Sequence, residues 1–336
     1  MLSIPALSDW GSVHYTMAAY VAQGIFIILL NTPLIVALIY RKKNRDRKEF
    51  VLIACVSIID IFYVVVNSWN SFIRLGTRSE SITRADCIIQ PMYFISLVAS
   101  QLVANMPLMV AFDRLIAALY GVWYYKQRHI YTLMLCAIPI AFSFVITLVN
   151  LVIILTTPAG EERVPSLCFT SVLPAPVYKM TYHGIKWGCI ILAALVYAGV
   201  AYVLLTKKNP TSSAVHSKRI RTANLVMAIS TVNSVLFHLV PDFLLVVPVF
   251  ELTIFFQAIF FSCILNKIMI NFFLFMFFHT ELRTIYLQQF FRAKKASRRG
   301  TNSSGVVPTT STRMFSQGSS GFLSRLALQI RSRFTQ

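Results

Sequence analysis

The chain has 336 residues, of which 57% are hydrophobic and 13% are charged, and its mean hydropathy is +0.67. Soluble domains carry about 25% charged residues, so this composition excludes an ordinary soluble globule. The formal net charge of +19 is of a kind often found in nucleic-acid-binding proteins. Here the basic residues flank apolar runs instead of forming one basic domain, and we expect no nucleic-acid partner.

Seven stretches of the chain are apolar over enough residues to cross a bilayer, which takes about 20 helical residues. Each run is continuously apolar and far longer than a strand of a membrane barrel, so we expect helices. The sequence predicts an all-α membrane protein, with an extracellular segment at 1–13 and a seven-transmembrane helix bundle at 14–278. The predicted spans are His14 to Tyr40, Phe50 to Leu75, Ile88 to Ala118, Tyr131 to Leu155, Ile185 to Leu205, Thr222 to Val247 and Leu252 to Phe278.

The basic residues predict the orientation of the bundle in the lipid bilayer. Lys and Arg are concentrated in the loops 41–48 and 206–221 and in the C-terminal tail, and they are sparse on the opposite face. Because basic loops stay in the cytoplasm, we expect an extracellular N-terminus and a multi-pass protein of the plasma membrane. The cations assigned to the outer face are Arg74, Arg78, Arg84, Arg163, Lys179 and Lys186.

The segment after the last span divides in two. Residues 279–291 place apolar side chains at helical spacing, which predicts a short amphipathic helix on the inner leaflet. Residues 292–336 form a basic tail rich in Ser and Thr for much of its length, whose stretch up to Gly321 we expect to be disordered. The apolar positions of the predicted short helix are Leu282, Ile285, Tyr286 and Phe290.

Two of the six cysteines fall at or near polar loops. Cys87 begins the third span and Cys168 lies in the loop between the fourth and fifth spans. Both belong to the face predicted to be extracellular, where disulfides persist. The sequence therefore predicts one Cys87–Cys168 disulfide, and the other four cysteines lie inside apolar runs as small packing residues.

Charged residues inside the apolar runs are the strongest functional signals, because such residues are costly in a membrane unless they are paired or hydrated. Asp60 lies in the middle of the second span, Asp113 and Arg114 end the third, and Lys267 lies in the seventh. Asp242 follows Pro241 in the sixth span. Each of these positions is a candidate for function.

The seven spans, the loop cysteine pair and the sequence Phe112-Asp113-Arg114 resemble a rhodopsin-like G-protein-coupled receptor. The details are most similar to nematode serpentine chemoreceptors, and the resemblance covers about residues 15–291. It implies that Asp113 and Arg114 pair at rest and that Arg114 meets a heterotrimeric G-protein on activation. It also implies an intramembrane polar network of Asn31, Asp60 and Asn266.

The seventh span departs from the family pattern in Asn266-Lys267-Ile268-Met269-Ile270. Lys267 stands where the family has a proline, and Ile270 stands where it has a tyrosine. We hypothesise that an Asp60–Lys267 pair takes the place of the family's sodium ion. Alternatively, the Lys267 ammonium extends to the cytoplasmic surface.

The resemblance implies a small-molecule ligand in the outer half of the bundle, between the third, sixth and seventh helices. His238 and Asp242 are four residues apart, which puts them on one helix face. This pair would bind an amine or make the site pH-sensitive, or it would form a structural hydrogen bond. The other candidates, each of which could instead serve only helix packing, are Asn67, Asn70, Ser96, Ser100, Gln101, Phe256 and Phe260.

The function that we predict is a G-protein-coupled chemosensory receptor, located in a sensory cilium if it follows the family. Kinases and arrestin are expected partners of the tail, and no cofactor, metal or catalytic residue is expected. An intramembrane enzyme is disfavoured because Asp60 and Asp242 fall in opposite halves of the membrane. A seven-helix transporter or ligand-gated channel remains the alternative, although the odd number of spans and the lack of repeats disfavour it.

Overall fold

A computed structural model describes residues 10–40, 47–76, 81–127, 129–206, 214–247, 254–278 and 282–287 of the chain. Seven of its helices are long and apolar enough to cross a membrane, which confirms the predicted bundle. Six of them are α1 Trp10–Tyr40, α2 Lys48–Gly76, α3 Pro91–Leu119, α4 His129–Thr156, α5 Pro176–Thr206 and α7 Ile254–Phe278. The remaining one, α6, is built from three segments. Helix α6 consists of Ala214–Ser234, a π-helical turn at Val235–Leu239, and Val240–Val246.

Helix α3 is the centre of the bundle. In its most apolar window 72% of the residues are buried, against 33% in α4 and 28% in α5. The exposed sides of α4 and α5 carry large apolar residues such as Leu133, Phe144 and Leu195, as expected of surfaces that face lipid. Residues 282–287 are helical and their Leu282 side chain is fully buried, whereas the rest of the predicted short helix and the tail 292–336 lie outside the described residues.

The loops at one end of the bundle are joined to each other, and we call this end the disulfide end. The sulfur atoms of Cys87 and Cys168 lie at disulfide distance, with the two Cα atoms 6.0 Å apart. Strand β1 (Ser81–Thr83) pairs antiparallel with strand β2 (Arg163–Pro165). The predicted disulfide is confirmed, and together with the strands it ties the loop after α2 to the loop after α4. The opposite end is called the Arg114 end.

Helix α5 begins at Pro176, well before the predicted start at Ile185. Polar residues interrupt the apolar pattern there, but they continue the helix because two of them turn inward and find partners. Pro176 occupies the first helical turn, where its missing N–H costs no hydrogen bond. His183 and Lys186 are both buried.

Three of the cations that we assigned to the outer face are buried in the protein interior. Arg74, Arg84 and Lys186 are between 2% and 7% exposed. Their side chains point inward because each finds acceptors there: Arg84, for example, lies 2.7 Å from Glu162 and donates to two loop carbonyls. Burial does not change which end of the bundle these residues lie nearer to, so the charge count is unaffected and the orientation itself stays a prediction.

Gly24 allows α1 to pack closely against α2. A Cβ atom at this position would lie 1.9 Å from Ser68 Oγ and 3.1 Å from Ser68 Cβ. We expect Gly24→Ala to lower the free energy of unfolding by about 1–3 kcal/mol, as overpacking does in other cores. Thermal unfolding of the purified protein in detergent measures the effect, and adding Ser68→Ala should recover part of the loss.

Gly188→Ala is the matched control for this substitution, because a Cβ at Gly188 would meet nothing within 4 Å. Alanine is preferred over glycine in a helix by about 0.5–1 kcal/mol, so this variant should unfold at the same temperature as the wild type or higher. If Gly24→Ala were as stable as Gly188→Ala, the close contact between α1 and α2 would not exist in the membrane protein.

Candidate functional site

A closed cluster of charged and aromatic groups lies at the Arg114 end, where α3 finishes. Arg114 Nη2 lies 2.5 Å from Asp113 Oδ2, and both side chains are buried. The Tyr124 hydroxyl, from the short helix Gly121–Lys126, donates to Asp113 Oδ2 and accepts from Arg114 Nη2, at 3.2 Å in each case. The side chains of Asp113 and Arg114 are therefore in contact, as expected, and the role of this pair in G-protein coupling stays a prediction.

Two residues that the sequence did not single out complete this cluster. Glu49 Oε1, from the first turn of α2, lies 3.8 Å from Arg114 Nη1, and Lys48 donates to the backbone carbonyl of Tyr124. Burial raises the pKa of Tyr124 above its ordinary value, so its hydroxyl remains a donor at physiological pH. No motif marks Tyr124 or Glu49, because only the fold brings them to the end of α3.

A second buried pair lies deeper in the bundle, between α2 and α7. Lys267 Nζ lies 3.6 Å from Asp60 Oδ1, and both residues are almost fully buried. A cavity adjoins the pair. It is lined by both side chains and by polar residues of α6 and α7 such as Ser230 and Asn271. The hypothesis that this pair takes the place of a sodium ion fits the geometry and stays a prediction.

The polar network around Lys267 has other members than those predicted. Asn233 Nδ2 donates to the Lys267 carbonyl and to Asn271 Oδ1, at 2.9 Å each, and so links α6 to α7. Asn31 instead donates to the carbonyl of Ile27 in its own helix at 3.1 Å. Asn266 Oδ1 accepts from Gln23 Nε2 at 2.8 Å, because position 266 points toward α1 while Lys267 points inward.

The third buried cluster joins α5 to α6 and contains the candidate Asp242. Lys186 Nζ lies 2.9 Å from Asp242 Oδ1 and 3.3 Å from Ser100 Oγ on α3. Trp187 Nε1 donates to Asp242 Oδ2 at 2.8 Å, and His183 Nδ1 lies 3.1 Å from the same oxygen. Binding an amine was one of the roles considered for Asp242, and its carboxylate is already neutralised by Lys186 of the chain itself.

The predicted contact between His238 and Asp242 is replaced by these partners. His238 lies within a π-helical turn at Val235–Leu239, so the helix is not a regular α-helix between the two residues. His238 is buried, with no hydrogen-bond partner at Nδ1. The prediction from sequence assumed a regular α-helix, and the sequence pattern does not reveal the π turn.

The other predicted pocket residues have mixed surroundings. Ser96 and Asn70 are fully buried, and their side-chain polar atoms have no hydrogen-bond partner. Gln101 Nε2 donates to the Tyr182 carbonyl at 2.8 Å. Phe260 is half-buried, whereas the side chain of Phe256 lies outside the described residues. These contacts do not gather the candidates into one cavity.

A cavity at the disulfide end lies instead between α1, α2, α7 and the loop that carries Cys168. Arg74 is its charged member, and it lies within reach of that loop, donating to the Leu167 carbonyl at 2.5 Å and the Cys168 carbonyl at 3.0 Å. The lining residues are Tyr20, Tyr63, Asn67, Ser68, Ser71, Arg74, Phe169, Thr170, Phe261 and Leu265. Across the described part of the chain, no three His, Cys, Asp or Glu residues group so as to hold a metal ion.

Comparison with curated proteins gives no match to this chain. The family comparison does: residues 25–290 match the model of the serpentine type 7TM GPCR chemoreceptor Srsx. This match covers most of the bundle, agrees with the seven spanning helices, and confirms the resemblance drawn from the motifs. The chain therefore belongs to the Srsx family of serpentine seven-transmembrane chemoreceptors.

Proposed function

We propose that this chemoreceptor binds a small molecule at the disulfide end and activates a heterotrimeric G-protein at the Arg114 end. In this proposal the disulfide end faces the outside of the cell and the Arg114 end faces the cytoplasm, at the plasma membrane. The observation that carries it is the buried cluster of Asp113, Arg114 and Tyr124 at the end of the central helix. A buried, closed arginine at a membrane surface is suited to being released on activation.

The contacts of Arg114 suggest which helices must move. The segment Ala214–Ser234 of α6 contains four basic or histidine residues and no Asp or Glu, so its sequence offers no acid to hold Arg114. The partners that hold it are Asp113 of its own helix and Glu49 of α2. An agonist that binds the active arrangement more tightly shifts the population toward it, and this shift frees Arg114 from α2 and from Tyr124.

The basic segment 207–221 and the tail supply the remaining expected contacts. Their Lys and Arg residues would meet the acidic surface of a G-protein once Arg114 is exposed. Phosphorylation by kinases of Ser and Thr in the tail 292–336 would oppose the local positive charge and create a site for arrestin. These partners follow from the family and from charge, and the tail itself lies outside the described residues.

A G-protein activation assay in cells tests the proposal, with pooled small volatile and water-soluble metabolites as stimuli. We expect the wild type to respond to a pool and Arg114→Ala to lose the response completely at equal surface level. Lys126→Ala is the matched control, because Lys126 is an exposed cation at the same end, and its response should be retained. A ligand-evoked current or uptake that survives Arg114→Ala without any G-protein would instead establish a channel or transporter.

A further inference from the structure

Arg74 differs from every other buried cation in the described part of the chain. Five Lys and Arg residues there are at least nine-tenths buried. Four of them lie within 4 Å of a carboxylate: Arg84 with Glu162, Arg114 with Asp113, Lys186 with Asp242, and Lys267 with Asp60. Arg74 is 7% exposed and has no carboxylate partner among the described residues.

The contacts of Arg74 leave its positive charge uncompensated. Its guanidinium donates to two backbone carbonyls of the disulfide-end loop and lies 4.9 Å from the centroid of the Phe169 ring. Carbonyl dipoles and a ring face solvate a cation in part, but they do not supply a negative charge. A buried cation of this kind is costly and is most stable beside an anion.

The surroundings of Arg74 provide hydrogen-bonding partners for such an anion. Arg74 and Ser71 are one helical turn apart on α2 and line the same cavity, with Asn67 one turn further along the same face. Thr170 adds a hydroxyl from the loop, and the Oγ atom of Ser68 is buried with no hydrogen-bond partner. The side of the cavity near α2 is thus polar and positive.

The other side of the cavity is apolar. The rings of Phe169 and Phe261 stack with centroids 5.7 Å apart and an angle of 19° between their planes, and Leu265 continues this wall. An apolar or flat body packs on such a surface, while its charged end reaches Arg74. A monoanion matches the single positive charge, whereas a phosphate dianion would leave a negative charge buried.

We propose that Arg74 binds the carboxylate of a small ligand whose apolar body lies against Phe169 and Phe261. This inference rests on the proposed chemoreceptor function, for which it names the ligand class, and it moves the charged anchor of the site from Asp242 to Arg74. Asp242 is paired with Lys186, so the site selects acids and not amines. Binding is measurable on the purified protein without any G-protein, which keeps the two proposals separable.

Thermal unfolding of the purified full chain in nanodiscs tests the ligand class. The probes are propionate, hexanoate, benzoate and phenylacetate at millimolar concentration, each compared with its primary amide. We expect at least one carboxylate to raise the unfolding temperature by about 3 °C or more, as binding to the folded state requires, and its amide to have no effect. The absence of a shift with every carboxylate, an equal shift with the amide, or an equal shift with inorganic phosphate or sulfate overturns the proposal.

Two pairs of variants locate the effect. Arg74→Gln should abolish the shift, and Arg84→Gln, at a buried arginine of the same end that pairs with Glu162, should keep it. Where Arg74→Gln does not fold, Ser71→Asp places a carboxylate one turn from Arg74 and should abolish the shift, while Gly188→Ala, whose added Cβ meets nothing within 4 Å, should keep it. A shift that persists in Arg74→Gln or in Ser71→Asp contradicts the assignment. A carboxylate that binds wild type but evokes no G-protein response contradicts only the proposed function.

Discussion

An Asp242→Ala substitution should keep most of the protein from reaching the cell surface. Lys186 is only 2% exposed, and Asp242 is the carboxylate that neutralises it, at 2.9 Å. Breaking a buried ion pair by removing one partner costs about 3–5 kcal/mol, because the other charge stays buried. Domains of this kind are stable by about 5–15 kcal/mol in total, so the loss is large enough to expose the variant to quality control.

The second partner offers a rescue that separates charge from packing. Lys186→Met keeps much of the side-chain volume of Lys186 and removes the ammonium, and buried ion pairs replaced by apolar residues are often as stable as the original. We therefore expect the double variant Asp242→Ala, Lys186→Met to recover most of the surface level that Asp242→Ala alone loses. Surface labelling normalised to total protein gives the measurement.

Glu161→Ala is the control for this comparison, because Glu161 is an exposed carboxylate at the same end of the bundle. It should reach the surface at the wild-type level. Wild-type surface levels in Asp242→Ala, or a double variant that is no better than the single one, would show that the Lys186–Asp242 contact is not what holds α5 to α6.

The long apolar runs made the bundle predictable, and the polar residues within them set the limit of that prediction. His14 to Tyr40 and the other predicted spans are continuous enough that the number of helices followed directly. The start of α5 could not be predicted in this way, because Lys179, His183 and Lys186 resemble a loop when only hydropathy is considered. His183 and Lys186 point inward to Asp242, which lies far along the chain.

The individual residues of the candidate sites could be predicted from the sequence, but the contacts between them could not. Asp60, Asp113, Arg114, Asp242 and Lys267 stand out because charge in an apolar run is rare. Their partners depend on which helices are neighbours, and on local geometry such as the π turn before Val240. A one-dimensional pattern contains neither.

The sequence did not mark Arg74 as a candidate site residue, for a related reason. It ends the apolar part of the second span, where an arginine usually marks the membrane boundary. The loop carbonyls of Leu167 and Cys168 turn it inward, and the Cys87–Cys168 disulfide and the pairing of β1 with β2 hold that loop in place.

The second large effect is expected at Asp60 and Lys267. Asp60→Lys would bury two ammonium groups together, and Lys267→Asp would bury two carboxylates, so each single reversal should abolish surface expression. The double variant Asp60→Lys, Lys267→Asp restores opposite charges across the same 3.6 Å contact. We expect it to reach the surface at a clearly higher level than either single variant, because the coupling between contacting charges is worth about 0.5–3 kcal/mol in double-mutant cycles.

Sodium dependence gives an independent measurement of the same pair. A sodium ion near Asp60 would need the carboxylate that Lys267 already neutralises, so the unfolding temperature of the wild type should be equal in sodium chloride and in choline chloride of the same concentration. Lys267→Met leaves Asp60 unpaired beside a cavity with polar lining from Ser230 and Asn271. This variant should be less stable than wild type and should regain stability specifically with sodium. Sodium-dependent stability in the wild type would mean that the ammonium does not occupy the place of the ion, and would favour a Lys267 side chain that extends to the membrane surface.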